Sequence, residues 1–121
     1  MTITIILAWP SHKLSPNKRG NWRSKASAVK QARMDAGWCA LAQAPDARLP
    51  TDAPLSVALV FCPPTARKFD TDGLISRCKP ALDGIADALK FNDRQIRTLS
   101  GTRGEQTPGG RVEIYIDVEA R

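Results

Sequence analysis

The chain has 121 residues, of which 42% are hydrophobic and 25% charged, and this composition predicts one globular domain that buries a core. The longest apolar run, residues 5–9, is too short to span a membrane, and no basic signal region opens the chain. We therefore expect a cytoplasmic protein with no membrane partner. Three widely spaced cysteines and a single histidine predict reduced thiols and argue against a zinc site.

A net charge of +6 favours an anionic partner, and the basic residues are concentrated near the N-terminus. Residues 11–34 contain seven Lys or Arg and no Asp or Glu. A protein that grips nucleic-acid phosphates needs such a segment. The alternative is that the segment is only a solubilising face.

The first half of the chain predicts two strands around one helix. Alternating apolar residues over 2–9 indicate the first strand, and residues 10–21 are typical of a long basic loop. Ser24 or Ser27 could cap a helix that runs to about Ala44. Residues 55–61 alternate again as a second strand, which Pro63 ends.

The second half predicts a helix followed by two strands. Apolar residues recur at helical spacing through residues 74–89, although Pro80 predicts a kink or two helical pieces. Residues 96–103 indicate a third strand, residues 104–110 a hairpin connection and residues 112–118 a fourth strand. The fold class predicted is therefore α/β, as an α+β two-layer domain. It has a mixed four-stranded sheet, the order β-α-β-α-β-β and two helices packed on one face.

Asp70 and Asp72 stand two residues apart between the second strand and the following helix. In an extended segment both carboxylates would point to one side, where they repel each other or bind a cation. The competing interpretation is that Asp70 lies in a surface turn and Asp72 caps the helix.

Lys79 follows Asp72 by seven residues, about two helical turns, so both lie on one side of the helix. Because helical side chains lean toward the N-terminus, the ammonium could reach back to the two carboxylates. The alternative is an ordinary i,i+4 ion pair between Lys79 and Asp83.

Trp9 and Trp22 bracket the basic loop. Aromatic side chains beside basic loops can stack on unpaired bases. The alternative is that both rings belong to the core or its rim.

Several motifs together resemble the RusA-type Holliday junction resolvases of bacteria and their prophages. The resemblance covers nearly the whole chain and consists of ordered motifs with suitable spacing. These are Asp70-Thr71-Asp72, Lys79-Pro80-x-Leu82-Asp83-Gly84-Ile85, Asn92-Asp93, the opening Leu7-Ala8-Trp9-Pro10-Ser11 and the closing Gly109-Gly110-Arg111-Val112-Glu113-Ile114. The chain departs from the family pattern at Gly73, at the Lys79 spacing, which makes Arg77 a rival, and at Asn92.

The resemblance implies a homodimeric Mg²⁺-dependent endonuclease, with Mn²⁺ as a substitute ion and no small-molecule cofactor. Its substrate would be four-way branched DNA, resolved by paired symmetric nicks in recombination or repair. It assigns the metal to Asp70, Asp72 and Asp93, and a catalytic role to the same acids with Lys79. The basic residues expected to hold DNA are Lys13, Lys18, Arg19, Arg23, Lys25, Lys30, Arg67, Lys68 and Arg77.

Carboxylates are the hard oxygen ligands that Mg²⁺ prefers, and the ion would activate water at the scissile phosphate. Lys79 or Arg77 would stabilise charge on the transition state. Two alternatives remain at this level. One is a non-catalytic nucleic-acid-binding module of the same fold, and the other is a metal nuclease for another branched or single-stranded DNA.

Overall fold

The computed structural model describes residues 2–14 and 22–119. Four strands and three helices follow the order β-α-β-α-α-β-β, with short 3₁₀ turns at residues 12–14 and 93–95. The elements are β1 (Thr2–Ala8), α1 (Trp22–Gln43), β2 (Leu55–Cys62), α2 (Thr71–Arg77), α3 (Lys79–Leu89), β3 (Ile96–Arg103) and β4 (Arg111–Val118). No helix in this part of the chain has both the length and the apolarity to cross a membrane.

The sheet is mixed, as predicted, and its strand order is β1-β4-β2-β3. β4 lies antiparallel to both β1 and β2, whereas β3 lies parallel to β2. The predicted hairpin over residues 104–110 is therefore wrong. The segment instead passes the end of β2, where the backbone N–H of Gly104 donates to Phe61 O at 2.8 Å and that of Thr107 to Pro63 O at 2.9 Å.

The predicted two-layer packing is confirmed. Alternate residues of β1, β2 and β4 are buried beneath the helices, while their neighbours on the other sheet face are more exposed. The apolar positions predicted along the second helix are all buried, and they join these strands in one core. Pro80 divides that helix into α2 and α3, as the proline predicted. The buried apolar positions that were predicted along this second helix are Leu74, Cys78, Leu82, Ile85 and Leu89.

Helix α1 begins at Trp22, before the predicted caps Ser24 and Ser27. Ser and Asn side chains mark helix starts only when they reach a backbone N–H of the first turn. Here both serines lie inside the helix, so the predicted start is wrong, while the predicted end near Ala44 holds.

The outer edge of β1 is paired by a side chain that sequence patterns did not indicate. The Gln43 amide accepts from Ile6 N at 2.7 Å and donates to Ile6 O at 2.8 Å. A strand edge exposes unpaired backbone groups that invite other strands. The Gln43 amide therefore satisfies the backbone N–H and C=O of Ile6, as a neighbouring strand would, and links the end of α1 to the sheet.

The three cysteines are unpaired thiols, as predicted, and they differ in accessibility. Cys62 and Cys78 are buried and Cys39 is half-buried. Burial raises the pKa of the Cys78 thiol to about 11, so it stays protonated at pH 8. We expect iodoacetamide at pH 8 to modify Cys39 before Cys78, as read by peptide mass spectrometry. Modification of Cys78 at the rate of Cys39 would contradict this assignment.

Candidate functional site

Asp70 is the N-cap of α2, and Asp72 lies in the first turn of that helix. The Asp70 carboxylate accepts a hydrogen bond from the backbone N–H of Asp72, with Oδ1 and N 3.1 Å apart. The two acids are therefore not an extended pair, and the interpretation in which Asp72 caps the helix is wrong. Asp70 caps because its own backbone is extended, at φ −86° and ψ 112°. Both side chains remain exposed.

Three aromatic rings hold the segment that leads into Asp70. Phe69 makes edge-to-face contacts with Trp9 and Phe61, at centroid distances of 5.8 and 6.3 Å. The Arg103 guanidinium lies 4.9 Å from the centre of the Phe69 ring. Trp9 is half-buried and packs against the core aromatics, as the interpretation of a core or rim residue predicts. The side chain of Trp22 lies outside the described part.

Arg103 was not predicted as part of this region. Its Nη1 donates to the carbonyl of Arg67 at 3.4 Å, in addition to its contact with Phe69. The sequence around Arg103 gives no sign of this contact, because the contact depends on how the strands pair in the folded sheet. Arg103 therefore ties the end of β3 to the segment before Asp70.

The junction between α2 and α3 positions Lys79. The backbone N–H of Cys78 donates to the carbonyls of both Leu74 and Ile75 at 3.1 Å, so the turn tightens at the helix end. Pro80 then stands in the first turn of α3, where the N–H that it lacks has no helical partner to lose. Lys79 is the first residue of α3 and projects from this junction.

One group of ion pairs joins Lys79 to Asp83 and Asp93. The Lys79 ammonium lies 3.1 Å from Asp83 Oδ1 and 3.6 Å from Asp93 Oδ2. The hydrogen bond to Asp83 raises the pKa of Lys79, and Asp93 adds to this rise, so the ammonium stays charged. The alternative i,i+4 pair is confirmed. The ammonium is directed to Asp83 and Asp93 rather than back along the helix.

Asp93 is held in place by the turn around it. Asn92 and Gln95 form a reciprocal cap, in which Asn92 Oδ1 accepts from Arg94 N and Gln95 Oε1 accepts from Asn92 N, both at 2.9 Å. The Gln95 amide also donates to the carbonyls of Pro50 and Ala53, at 2.8 and 3.0 Å. This anchoring was not predicted, since it depends on a loop more than 40 residues away.

The predicted metal ligands match Mg²⁺ in chemistry, since carboxylates are hard oxygen donors. Within residues 2–14 and 22–119, however, no three His, Cys, Asp or Glu side chains form a group that could hold a metal ion. Asp70 Oδ1 is engaged by a backbone N–H, and Asp93 faces the Lys79 ammonium. The three carboxylates are therefore not preassembled as one ligand set in this conformation.

Arg77, the rival of Lys79, is engaged with backbone carbonyls. Its Nη2 donates to Pro10 O, and its Nε donates to Ser11 O at 3.2 Å. Burial lowers the pKa of Arg77 from its usual value, in keeping with a position inside the fold. The guanidinium thus ties α2 to the segment that follows β1.

We expect Arg77→Met to lower the free energy of unfolding by about 1.5 kcal/mol, since two hydrogen bonds from a charged donor are lost. Urea denaturation measures this loss. The resemblance also predicts DNA binding, and Arg77→Met should leave the salt dependence of that binding unchanged, because backbone carbonyls already engage the guanidinium. Lys68→Met is the matched control, exposed in the described chain. It should leave stability unchanged and reduce the salt slope. A reduced salt slope with unchanged stability in Arg77→Met would instead identify Arg77 as a contact of the DNA phosphates.

The other residues expected to bind DNA are distributed as follows. Arg23, Lys30, Arg67 and Lys68 are exposed and Lys25 is half-buried. Lys13 lies in the first 3₁₀ turn, but its side chain is outside the described part of the chain. Lys18 and Arg19 are outside the described residues. The described basic residues lie on the first turns of α1 and on the segment before Asp70, and their role in DNA binding stays a prediction.

Fold and site together define a small basic α+β protein. Its exposed acids stand at the start of α2 and after α3, with a charged lysine between the two helices. The chain belongs to the same family as an uncharacterized protein of Xylella fastidiosa strain Temecula1. The two sequences are 38% identical over an alignment of 120 positions, and the alignment covers 93% of this chain and 74% of the relative. No protein-family model matches the chain.

Proposed function

We propose that this protein is a structure-selective, Mg²⁺-dependent endodeoxyribonuclease that resolves four-way DNA junctions as a homodimer. The motifs that resemble RusA-type resolvases supply the reaction class. The observation that carries the proposal is the 3.6 Å approach of the Lys79 ammonium to Asp93. This contact brings together two residues to which the resemblance assigns catalytic roles, although they stand 14 positions apart in the sequence.

Each side chain has a role that follows from its chemistry. Asp70, Asp72 and Asp93 would hold the ion, which supplies an activated water and charge stabilisation at the phosphate. Lys79 is charged and exposed, so its ammonium can donate to a non-bridging phosphate oxygen. Asp83 orients that ammonium through the 3.1 Å contact. The exposed cations of α1 and of the segment before Asp70 would bind the backbone of the junction arms.

We expect Lys79→Met to reduce cleavage of a four-way junction roughly 100-fold, since the charge facing the phosphate is lost. Junction affinity should change far less, because one exposed cation contributes little to binding. Single-turnover cleavage and gel-shift titration separate the two quantities. Asp83→Asn is the comparison variant, because it releases the ammonium without removing it, so its loss of cleavage should be smaller than that of Lys79→Met. Wild-type cleavage by Lys79→Met would remove the lysine from the reaction.

One observation favours a second candidate, a non-catalytic nucleic-acid-binding module. It is that no three-ligand group is assembled within the described ranges. A labelled four-way junction, incubated with Mg²⁺ and in parallel with EDTA, distinguishes the two. Paired nicks that require Mg²⁺ support the nuclease, and a stable gel shift without product supports the binding module. Competition with flaps, single strands and linear duplex tests for a nuclease of another substrate class.

A further inference from the structure

The sheet has two outer edges, and they are satisfied differently. The outer edge of β1 is bonded at Ile6 by the Gln43 amide. The other edge is β3, which pairs with β2 alone within residues 2–14 and 22–119. Six of the eight β3 residues are exposed. Alternate backbone N–H and C=O groups of β3 therefore face away from the sheet, where an added strand can pair with them.

One large apolar residue remains exposed on the helix-facing side of β3. Leu99 pairs in register with Val57, which is fully buried, so both side chains point to the helical layer. Leu99 is nevertheless 43% exposed. Ile75 of α2 lies over Gly101, two residues further along this face, since a Cβ at Gly101 would be 2.8 Å from Ile75 Cδ1. The helical layer thus covers Gly101 and leaves Leu99 open to an incoming side chain.

Positive charge accompanies this apolar residue. Residues 94–103 contain three arginines, Arg94, Arg97 and Arg103, and no Asp or Glu. All three are exposed, and none forms an ion pair with another residue that the structure describes. Arg103 pairs in register with the buried Phe61, so it faces the same side as Leu99, four residues further along β3. An apolar contact and a cation are therefore set at a fixed spacing beside the open strand edge.

We propose that the β3 edge, meaning the outer side of β3 with Leu99 and Arg103, binds an extended acidic segment of another protein as a fifth strand of the sheet. The backbone of the segment pairs with β3, one of its apolar side chains covers Leu99, and a carboxylate four residues away meets Arg103. Backbone pairing supplies affinity, and the two side-chain contacts supply specificity. This contact needs neither DNA nor a metal ion, so separate assays distinguish its failure from a failure of junction cleavage.

The charges of β3 favour this occupant over a second copy and over DNA. Antiparallel pairing of two β3 strands centred on Ser100 would set Arg97 of one copy directly opposite Arg103 of the other. Each copy also carries a net charge of +6, so the two repel each other. A nucleic-acid strand attracts the arginines but has no backbone N–H to donate to the β3 carbonyls. An acidic peptide satisfies both the charge and the strand edge.

Titration of the amide NMR signals of the full chain, without DNA or metal, tests the proposal. The probe is a capped nine-residue peptide with valine at its centre, glutamate at both ends and threonine elsewhere. In either strand direction, valine lies opposite Leu99 while one glutamate lies opposite Arg103. We expect shift changes concentrated in the β3 amides, and at least roughly tenfold weaker binding when glutamine replaces both glutamates. Absence of binding, or equal binding by the glutamine peptide, overturns the proposal.

Leu99→Glu tests the apolar contact. It should weaken binding of the glutamate peptide at least roughly tenfold, because a carboxylate replaces the side chain that the valine covers. Leu41→Glu is the matched control, since Leu41 is 45% exposed on α1 and the substitution introduces the same charge. It should bind the peptide as the wild type does. Wild-type binding by Leu99→Glu, or equal losses in the two variants, overturns the assigned surface.

Methylation of the peptide tests the strand pairing itself. Two versions of the probe carry N-methyl groups on alternate amides, so that each version blocks one edge of the peptide strand. One version should bind the protein and the other should not. Equal affinities would show that charge alone holds the peptide, which overturns the fifth strand. A thymidine nonanucleotide that shifts the same β3 amides and displaces the peptide would assign this edge to DNA and likewise overturn the proposal.

Discussion

Asp72→Asn is expected to abolish Mg²⁺-dependent cleavage of a four-way junction, with a rate loss of roughly 1,000-fold, while junction binding is retained. Asp72 is exposed in the first turn of α2, and its backbone N–H, not its side chain, pairs with Asp70. Asparagine preserves the helix start and removes one negative charge. The substitution therefore acts on the chemistry and spares the fold and the basic surface.

Single-turnover cleavage and gel-shift titration on the same junction measure the two effects. Glu105→Gln is the matched control, because it removes one exposed carboxylate from the loop between β3 and β4. It should cut at the wild-type rate. Binding can even tighten in Asp72→Asn, since a charge that repels phosphate is gone. Cleavage at the wild-type rate would remove Asp72 from the site.

Gly84→Ala is expected to be the most destabilising small substitution in the helical layer. A Cβ at Gly84 would lie 2.0 Å from the carbonyl oxygen of Arg33, in the backbone of α1. Backbone cannot move aside as a flexible side chain can, so α1 and α3 would have to separate. We expect a loss of about 3 kcal/mol or more in the free energy of unfolding, measured by urea denaturation.

Gly37→Ala provides a graded control at the same helix crossing. Its Cβ would lie 3.3 Å from the carbonyl oxygen of Gly84, a tight but tolerable contact. The gain in helix propensity, about 1 kcal/mol, offsets that contact, so we expect a change of less than about 1 kcal/mol. Equal losses in the two variants would show that the crossing is not governed by the approach at Gly84.

Local patterns predicted the elements because their signals lie within a few residues. Alternation marked the buried faces of β1, β2 and β4, and the five apolar positions predicted at helical spacing through residues 74–89 were all buried. The segment Pro108-Gly109-Gly110 correctly indicated a turn, with positive φ at both glycines. It did not indicate which strands pair. β4 lies between β1 and β2 through contacts far apart in sequence, and no turn residue encodes that choice.

In the candidate site, too, local sequence predicted some features, while others depend on contacts between residues far apart in the chain. Proximity in sequence was enough to place Asp70 and Asp72 at a strand-to-helix connection. The ion pair from Lys79 to Asp93 depends on how the chain returns after α3, which spacing does not reveal. The roles of Gln43, Gln95 and Arg103 were likewise not predicted, because each contacts a backbone distant in sequence.

A supercoiled plasmid that extrudes a cruciform offers a direct assay for metal-dependent cutting of branched DNA by this chain. Paired nicks across the four-way junction convert the plasmid to a linear product. We expect linear DNA with Mg²⁺, none with EDTA, and none for Asp72→Asn. A plasmid that stays supercoiled in Mg²⁺, although the protein binds the cruciform, would contradict it.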